Sequence, residues 1–288
     1  MSASDASQAN SGTGGTTPAA SHAERRALLA TCVAAAARAA EVVRAGAERR
    51  PTLEWEAKGR FDFVSDVDRA SESALADVIT QRHADATLLA EEGSPDAGTT
   101  RGLVFVADPL DGTTNFLHGV PWYAVSIAAL VDGVLAAGAT INVATGALFT
   151  ATAGGGARHA GAPMRVSAIT DPARSLVATG FPFSRDDEIA RYVPMLPAVM
   201  RATAGIRRAG AAALDLADVA CGRYEAFWEL RLAPWDLAAG LLLVREAGGI
   251  VTTLEGADCP VAETSVVAGN PFMHGWLLDT LNLVNGER

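Results

Sequence analysis

Apolar positions recur at helical spacing early in the chain. Leu28, Leu29, Val33, Val42 and Val43 share one repeat within an Ala-rich stretch over residues 23–49, closed by Gly46 and Pro51, and predict a long first helix. Residues 53–58 then alternate with the two-residue period of a strand, and residues 61–64 continue toward a turn. Ser65 is the expected N-cap of a second helix reaching about residue 84. Short β-like runs follow at 87–90, 103–107, 124–131, 134–143 and 147–153. Asp132-Gly133 and Thr145-Gly146 between them are hairpin signals, so this region is expected to form an antiparallel sheet.

Gly154-Gly155-Gly156 marks a loop, and a domain boundary is expected near Gly161. Beyond it strands and helices alternate: a strand at 175–179, a helix over 186–202, strand 205–207, helix 211–220, strand 224–230 and helix 236–247. That alternation is an α/β signature. The chain therefore divides into residues 1–21, a Ser/Gly/Thr-rich tail expected to be disordered, an α+β unit over 22–160 and an α/β unit over 161–288.

Composition narrows the function classes. The longest apolar runs, 124–130 and 237–244, fall short of the roughly 20 residues a membrane span needs, and the tail lacks the basic start and apolar centre of a secretory signal. A cytoplasmic protein is expected. Cys32, Cys221 and Cys259 are few, odd in number and widely spaced, which fits reduced thiols. His83, His118, His159 and His274 are scattered without metal-ligand spacing and are expected at the surface or at caps. A net charge of −10 argues against a nucleic-acid surface. An acidic protein that acts on an anion must invert its local field, and bound divalent cations are the usual means.

Three acidic clusters carry the candidate chemistry: Glu91-Glu92-Gly93, then Asp108-Pro109-Leu110-Asp111-Gly112-Thr113-Thr114, then Trp235-Asp236 ahead of an apolar helix. Each follows or nearly follows an apolar strand, where open sheets place their ligands. In the middle cluster a turn at Pro109 and Gly112 lets Asp108 and Asp111 converge, and the carbonyl of Leu110 adds an oxygen donor suited to a hard cation. Backbone N–H groups of Gly112, Thr113 and Thr114 form a nest suited to phosphate. Asp-Pro and Asp-Gly are also plain turn formers, Glu91-Glu92 also reads as a solvated loop, and Asp236 also reads as a helix N-cap.

In this order, LLAEEG, VADPLDGTTNFLHGVPWYAVSIA and PWDLAAGLLLVREAGG resemble the inositol monophosphatase family, and the resemblance runs from about His22 to the C-terminus. It implies a layered αβαβα sandwich of the sugar phosphatase type and a hydrolase dependent on two or three Mg²⁺ ions. Glu91, Asp108 and the Leu110 carbonyl would hold the first ion, and Asp108, Asp111 and Asp236 the second. A third, weaker ion would sit near Glu91, with Glu92 in support. Asp68, in Val64-Ser65-Asp66-Val67-Asp68, would pair with Thr113 to orient and deprotonate the attacking water. Taken as residues alone, Asp68 is equally a first-turn helix acid. Substrate contacts would come from Gly112, Thr113, Gly210, Ala212, Glu229 and Asp236.

Where the family commonly has glycine two residues after that glutamate, this chain has Arg231, either a second anion anchor or a surface side chain packing its stem. The resemblance further implies a homodimer, lithium inhibition and a small phosphorylated polyol as substrate, myo-inositol 1-phosphate foremost. Histidinol phosphate, fructose 1,6-bisphosphate and 3'-phosphoadenosine 5'-phosphate are the rivals. Arg207-Arg208 is the one close basic pair near a motif, which favours a monophosphate. A non-catalytic role, in contact with RNA polymerase or another protein, is the alternative of a different class.

Overall fold

A computed structural model describes residues 20–59, 62–96, 101–183 and 185–286. The expected N-terminal tail lies outside the described residues, apart from its last two positions. Helix α1 (His22–Glu48) begins at Ser21, whose hydroxyl accepts from the Glu24 amide while the Glu24 carboxylate takes the Ser21 amide. A hairpin of β1 (Trp55–Gly59) and β2 (Asp62–Ser65) leads into α2 (Asp66–Arg82), capped by Ser65 as expected.

The first sheet has seven strands in chain order: β3 (Thr87–Ala90), β4 (Leu103–Asp111), β5 (Ala124–Val131), β6 (Val134–Asn142), β7 (Leu148–Thr152), β8 (Gly156–His159) and β9 (Ala162–Pro163). Asp132 and Gly133, both with positive φ, make the tight turn between β5 and β6. The sheet is not wholly antiparallel, however. β3 runs parallel to β4, with Thr87 opposite Val104 and Ala90 opposite Ala107, so both strands are entered from the same end of the sheet. Helix α3 (Thr113–His118) interrupts the path from β4 to β5.

The second sheet has the order β11 (Gly205–Arg207), β10 (Leu176–Thr179), β12 (Ala226–Leu232), β14 (Thr264–Gly269), β13 (Ile250–Thr252). Its first three strands are parallel and the rest antiparallel. The single helix expected over 186–202 is two helices, α4 (Asp186–Tyr192) and α5 (Met195–Ala202). Pro194 between them lacks the N–H that would continue the ladder. β13, β14 and α8 (Pro271–Gly286) complete the C-terminal region, for which the sequence pattern gave no element.

α6 (Ala212–Ala220) and α7 (Pro234–Glu246) lie between the two sheets. α1 and α2 cover the outer face of the first sheet, and α5 and α8 that of the second. The result is the expected αβαβα sandwich. α7 reads as apolar on every side because every side is covered: Leu237 through Val244 are all buried. His274, expected at the surface or at a cap, is instead buried within α8, its Nε2 2.9 Å from Thr252 Oγ1. His83 fits the capping expectation as C-cap of α2.

The helix pair at the centre depends on one glycine. A Cβ on Gly240 of α7 would lie 2.7 Å from Cβ of Leu216 in α6, closer than real contacts allow. Gly240→Ala is therefore expected to destabilise by about 1–3 kcal/mol through overpacking. Gly275→Ala in α8, where an added Cβ meets nothing within 4 Å, is expected to stabilise by roughly 0.5–1 kcal/mol. Urea unfolding of the two variants checks both signs, and equal effects would refute the close-packing account.

Candidate active site

The strand β4 is buried almost throughout, and its last residues carry the central acids. In a regular strand residues three apart face opposite sides. Between Asp108 and Asp111 the register slips: Asp108 pairs with Ser126 and Asp111 with Ala124, so three steps on β4 match two on β5. That bulge restores the parity, and both carboxylates face one pocket. Backbone amides fix their rotamers. Asp108 Oδ1 accepts from the Leu110 amide at 2.9 Å, and Asp111 Oδ2 from the Ala213 amide, in the first turn of α6, at 2.8 Å.

The same pocket, about 540 Å³, is bordered by Glu91 from the loop after β3, Leu110, Gly112–Thr114 and Asp236. Asp236 is not an N-cap. It lies in the first turn of α7, and its Oδ2 reaches back to the Ala233 amide at 2.8 Å. Gly112 turns the chain at φ 86°, where a Cβ would press on the carbonyls of Trp122 and Gly210 at 3.1 and 3.2 Å.

Asp68 and Thr113 meet. Asp68 is buried, its Oδ2 taken by the Ser65 amide and hydroxyl at 2.8 and 2.6 Å, and its Oδ1 accepts from Thr113 Oγ1 at 2.9 Å. It is both the first-turn acid of α2 and the partner of the threonine. Thr113 Oγ1 also lies 3.0 Å from the Leu110 carbonyl. It has one proton to give, so directing it to Asp68 leaves its lone pairs to accept from a third group.

Glu229, on β12, borders a smaller adjoining cavity of about 190 Å³ with Gly180, Arg208, Gly210, Ala212 and Asp236. Gly180 leaves room for the Glu229 side chain: a Cβ there would lie 2.1 Å from the Glu229 carboxyl carbon, so a larger residue would have to displace that carboxyl group. Arg231 is no anion anchor. Its guanidinium pairs with Glu188 at 2.7 Å and with Glu263, tying α4 to the loop before β14. Of the basic pair, Arg208 borders both cavities, with its guanidinium 4.9 Å from the Phe183 ring centre. Arg207 is exposed on the β11 edge.

Three supports were not singled out from the sequence. The Glu72 carboxylate in α2 accepts the amides of Glu92 and Gly93 at 2.8 and 2.7 Å, pinning the Glu91 loop. Asn115 Nδ2 donates to the carbonyls of Trp122 and Ala209 at 2.7 and 2.9 Å, joining α3 to the loop before α6. Arg208 stood only as half of a basic pair. Asn115, inside the DGTTN run, was the one with a local signal; the Glu72 contact spans about 20 residues and had none.

Burial raises the pKa of Asp108 and Asp111 well above the ordinary carboxylate value, and neighbouring carboxylates, Glu91 and Asp236 among them, raise both further. Burial, then Asp236, pushes Glu229 up to about 8, with Arg208 opposing. Among the described residues no three acidic, histidine or cysteine side chains already close on a single point as a finished ligand shell. The donor set nonetheless suits a hard divalent cation: hydrogen-bonded carboxylates and a strand-end carbonyl, with Arg208 the one cationic side chain among the described residues lining the pocket.

A five-layered sandwich with an acidic pocket at its strand ends defines the sugar-phosphatase class of fold. The sequence profile of the inositol monophosphatase family matches residues 24–284, and the chain belongs to that family, whose members are generally metal-dependent phosphatases. It is 41% identical over 244 residues to the Nus factor SuhB of Salmonella typhimurium, spanning 85% of this chain and 91% of that protein. To the inositol-1-monophosphatase of Rhizobium meliloti it is 41% identical over 246 residues, 85% and 92% of the two chains. The extragenic suppressor protein suhB of Bartonella henselae superposes with a TM-score of 0.83 at 39% identity, over 88% of this chain and 98% of that one. No helix among the described residues is long and apolar enough to cross a membrane.

The raised carboxyl pKa values set a pH dependence. In the window above about 4.5 and up to about 8 for Glu229, the folded protein binds more protons than the unfolded chain, so stability falls as pH rises. Asp108 and Asp111, raised in the same direction, deepen the loss. In EDTA, melting temperature is expected to drop between pH 5 and pH 8.5, less so for Glu229→Gln. A flat profile for both proteins would contradict the burial account.

Proposed function

We propose that the chain hydrolyses a small polyol phosphate, foremost myo-inositol 1-phosphate, with direct attack of water on phosphorus. The observation that carries this reading is the β4 bulge, which sets Asp108 and Asp111 on one pocket wall beside the Thr113–Asp68 pair. Glu91, Asp108 and the Leu110 carbonyl would hold one Mg²⁺ ion, and Asp108, Asp111 and Asp236 a second, with Glu92 in support of a third near Glu91. When bound, these ions supply Lewis acidity toward the phosphate and the attacking water.

The chain's own groups do the rest. Thr113, its proton directed to Asp68 Oδ1, accepts a hydrogen bond from the attacking water and orients it, and the Thr113–Asp68 pair receives the proton released. First-turn amides at Thr113 and Thr114 face the phosphate oxygens. Glu229 and the Gly210–Ala212 backbone hold the polyol beyond the phosphate, with Asp236 at the junction. A soluble homodimer in the cytoplasm, inhibited by lithium, belongs to the same proposal.

Phosphate release from inositol 1-phosphate, histidinol phosphate and fructose 1,6-bisphosphate, each with Mg²⁺ and with EDTA, tests it. Mg²⁺-dependent turnover favouring inositol 1-phosphate is expected, and a histidinol phosphate preference would move the substrate. No release from any of the three would defeat the catalytic reading. Thr113→Val and Asp68→Asn are each expected to lower kcat about 10²–10⁴-fold, as loss of acid–base assistance does.

A second role is favoured by the 41% identity to a protein named a Nus factor: binding through the outer surface, independent of the pocket. Equal capture of RNA polymerase by wild type and Asp108→Asn would support it. Capture by neither would leave the hydrolase reading alone.

A further inference from the structure

Asp215 is a buried acid that the proposed chemistry does not use. It sits in the first turns of α6, 2% exposed, and among the described residues its Oδ1 has no hydrogen-bond partner. A buried acceptor left unmade costs free energy comparable to a lost hydrogen bond, so its retention calls for a ligand. Asp215 borders the 190 Å³ cavity together with Glu229, Arg208, Gly180 and Asp236. That volume is below the roughly 300 Å³ of ordinary drug-sized pockets and fits one small ring.

The chemistry of the wall defines the occupant. Two carboxylates, Asp215 and Glu229, accept hydrogen bonds, and one guanidinium, Arg208, donates them. A neutral ring with several hydroxyls can satisfy all three at once, since each hydroxyl both donates and accepts. A second phosphate on the same ring brings a charged, strongly hydrated group against a buried wall of two acidic side chains with Arg208 as its one cation among the described residues.

We propose that Asp215 is a specificity-determining residue of this subsite: it accepts a hydrogen bond from a ring hydroxyl of the polyol, and with Glu229 it turns away substrates bearing a second phosphate. The inference rests on the polyol-phosphatase reading above and deepens it. Gly180 is part of the same device, because the space a Cβ would take is where the Glu229 carboxyl lies.

The test compares wild type, Asp215→Ala and Asp215→Asn on three substrates in Mg²⁺: inositol 1-phosphate, fructose 1,6-bisphosphate and 4-nitrophenyl phosphate, whose leaving group has no ring hydroxyls beyond the ester. Asp215→Ala is expected to raise KM for inositol 1-phosphate about tenfold or more, with KM for 4-nitrophenyl phosphate within twofold of wild type. Asp215→Asn, which keeps an acceptor oxygen and loses the charge, is expected to retain most of the inositol 1-phosphate affinity. It should also raise kcat/KM for the bisphosphate relative to the monophosphate. Equal changes on inositol 1-phosphate and 4-nitrophenyl phosphate would mean a general disturbance of the site and overturn the assignment, as would no change on either. Melting curves of both variants separate misfolding from lost recognition. Wild-type turnover of 4-nitrophenyl phosphate without turnover of inositol 1-phosphate would instead sink the polyol reading, and this inference with it.

Discussion

Crowding of like charge at the end of one buried strand is the constraint around which the molecule is arranged. Unit charges about 4 Å apart repel by about 4 kcal/mol at an effective dielectric near 20, and burial adds a desolvation cost to each. Asp108 and Asp111 bear both burdens, with Glu91 and Asp236 close enough to raise their pKa values further. Such an arrangement persists only if the surroundings hold it. Here each of the three aspartates lends one oxygen to a backbone amide, from Leu110, Ala213 or Ala233. Two of those amides belong to the start of a helix, where the partial positive charge of the macrodipole offsets part of the repulsion.

The layers supply the rigidity. α7 brings Asp236 to the pocket from between the sheets, and its burial on every side leaves it little freedom to shift. α2 serves from the outer face. Asp68 in its first turn holds Thr113, one turn further Glu72 holds the Glu91 loop, and Ser71 between them donates to the Pro109 carbonyl at 2.7 Å. Three successive contacts from one helix thus tie the outer layer to β4 and to the β3 loop. Asn115 does the same between α3 and the segment entering α6.

Much of this was legible in the sequence, because the acids sit in short motifs beside strands whose apolar runs are unambiguous. The Asp108/Asp111 pair and Asp236 at a helix start are set by residues within a few positions of a turn or cap signal, whereas the Asp68–Thr113 contact, across 45 residues, is implied only by the family resemblance. What could not be read depends on distance or parity. The bulge that aligns Asp108 with Asp111 shows only in the pairing with β5. The parallel sense of β3 shows only in its pairing with β4, and Arg231 finds Glu188 and Glu263 across 43 and 32 residues. Pro194 was visible and should have divided the helix over 186–202. β13 is three residues long, too short for an alternation to register.

The electrostatics also bear on how an acidic chain can act on an anion. With a net charge of −10 and one cationic side chain among the described residues lining the main pocket, the protein alone offers phosphate little attraction. On the proposed reading, the carboxylates that repel phosphate are the groups that hold the cations that attract it, so anion affinity follows cation occupancy by linkage. The adjoining cavity obeys the opposite rule. There Asp215 and Glu229 face Arg208, and what they favour is a neutral hydroxylated ring. A substrate with charge at one end and hydroxyls at the other satisfies both halves, and the shared wall of Asp111, Arg208, Gly210 and Asp236 is where its ester bond would lie.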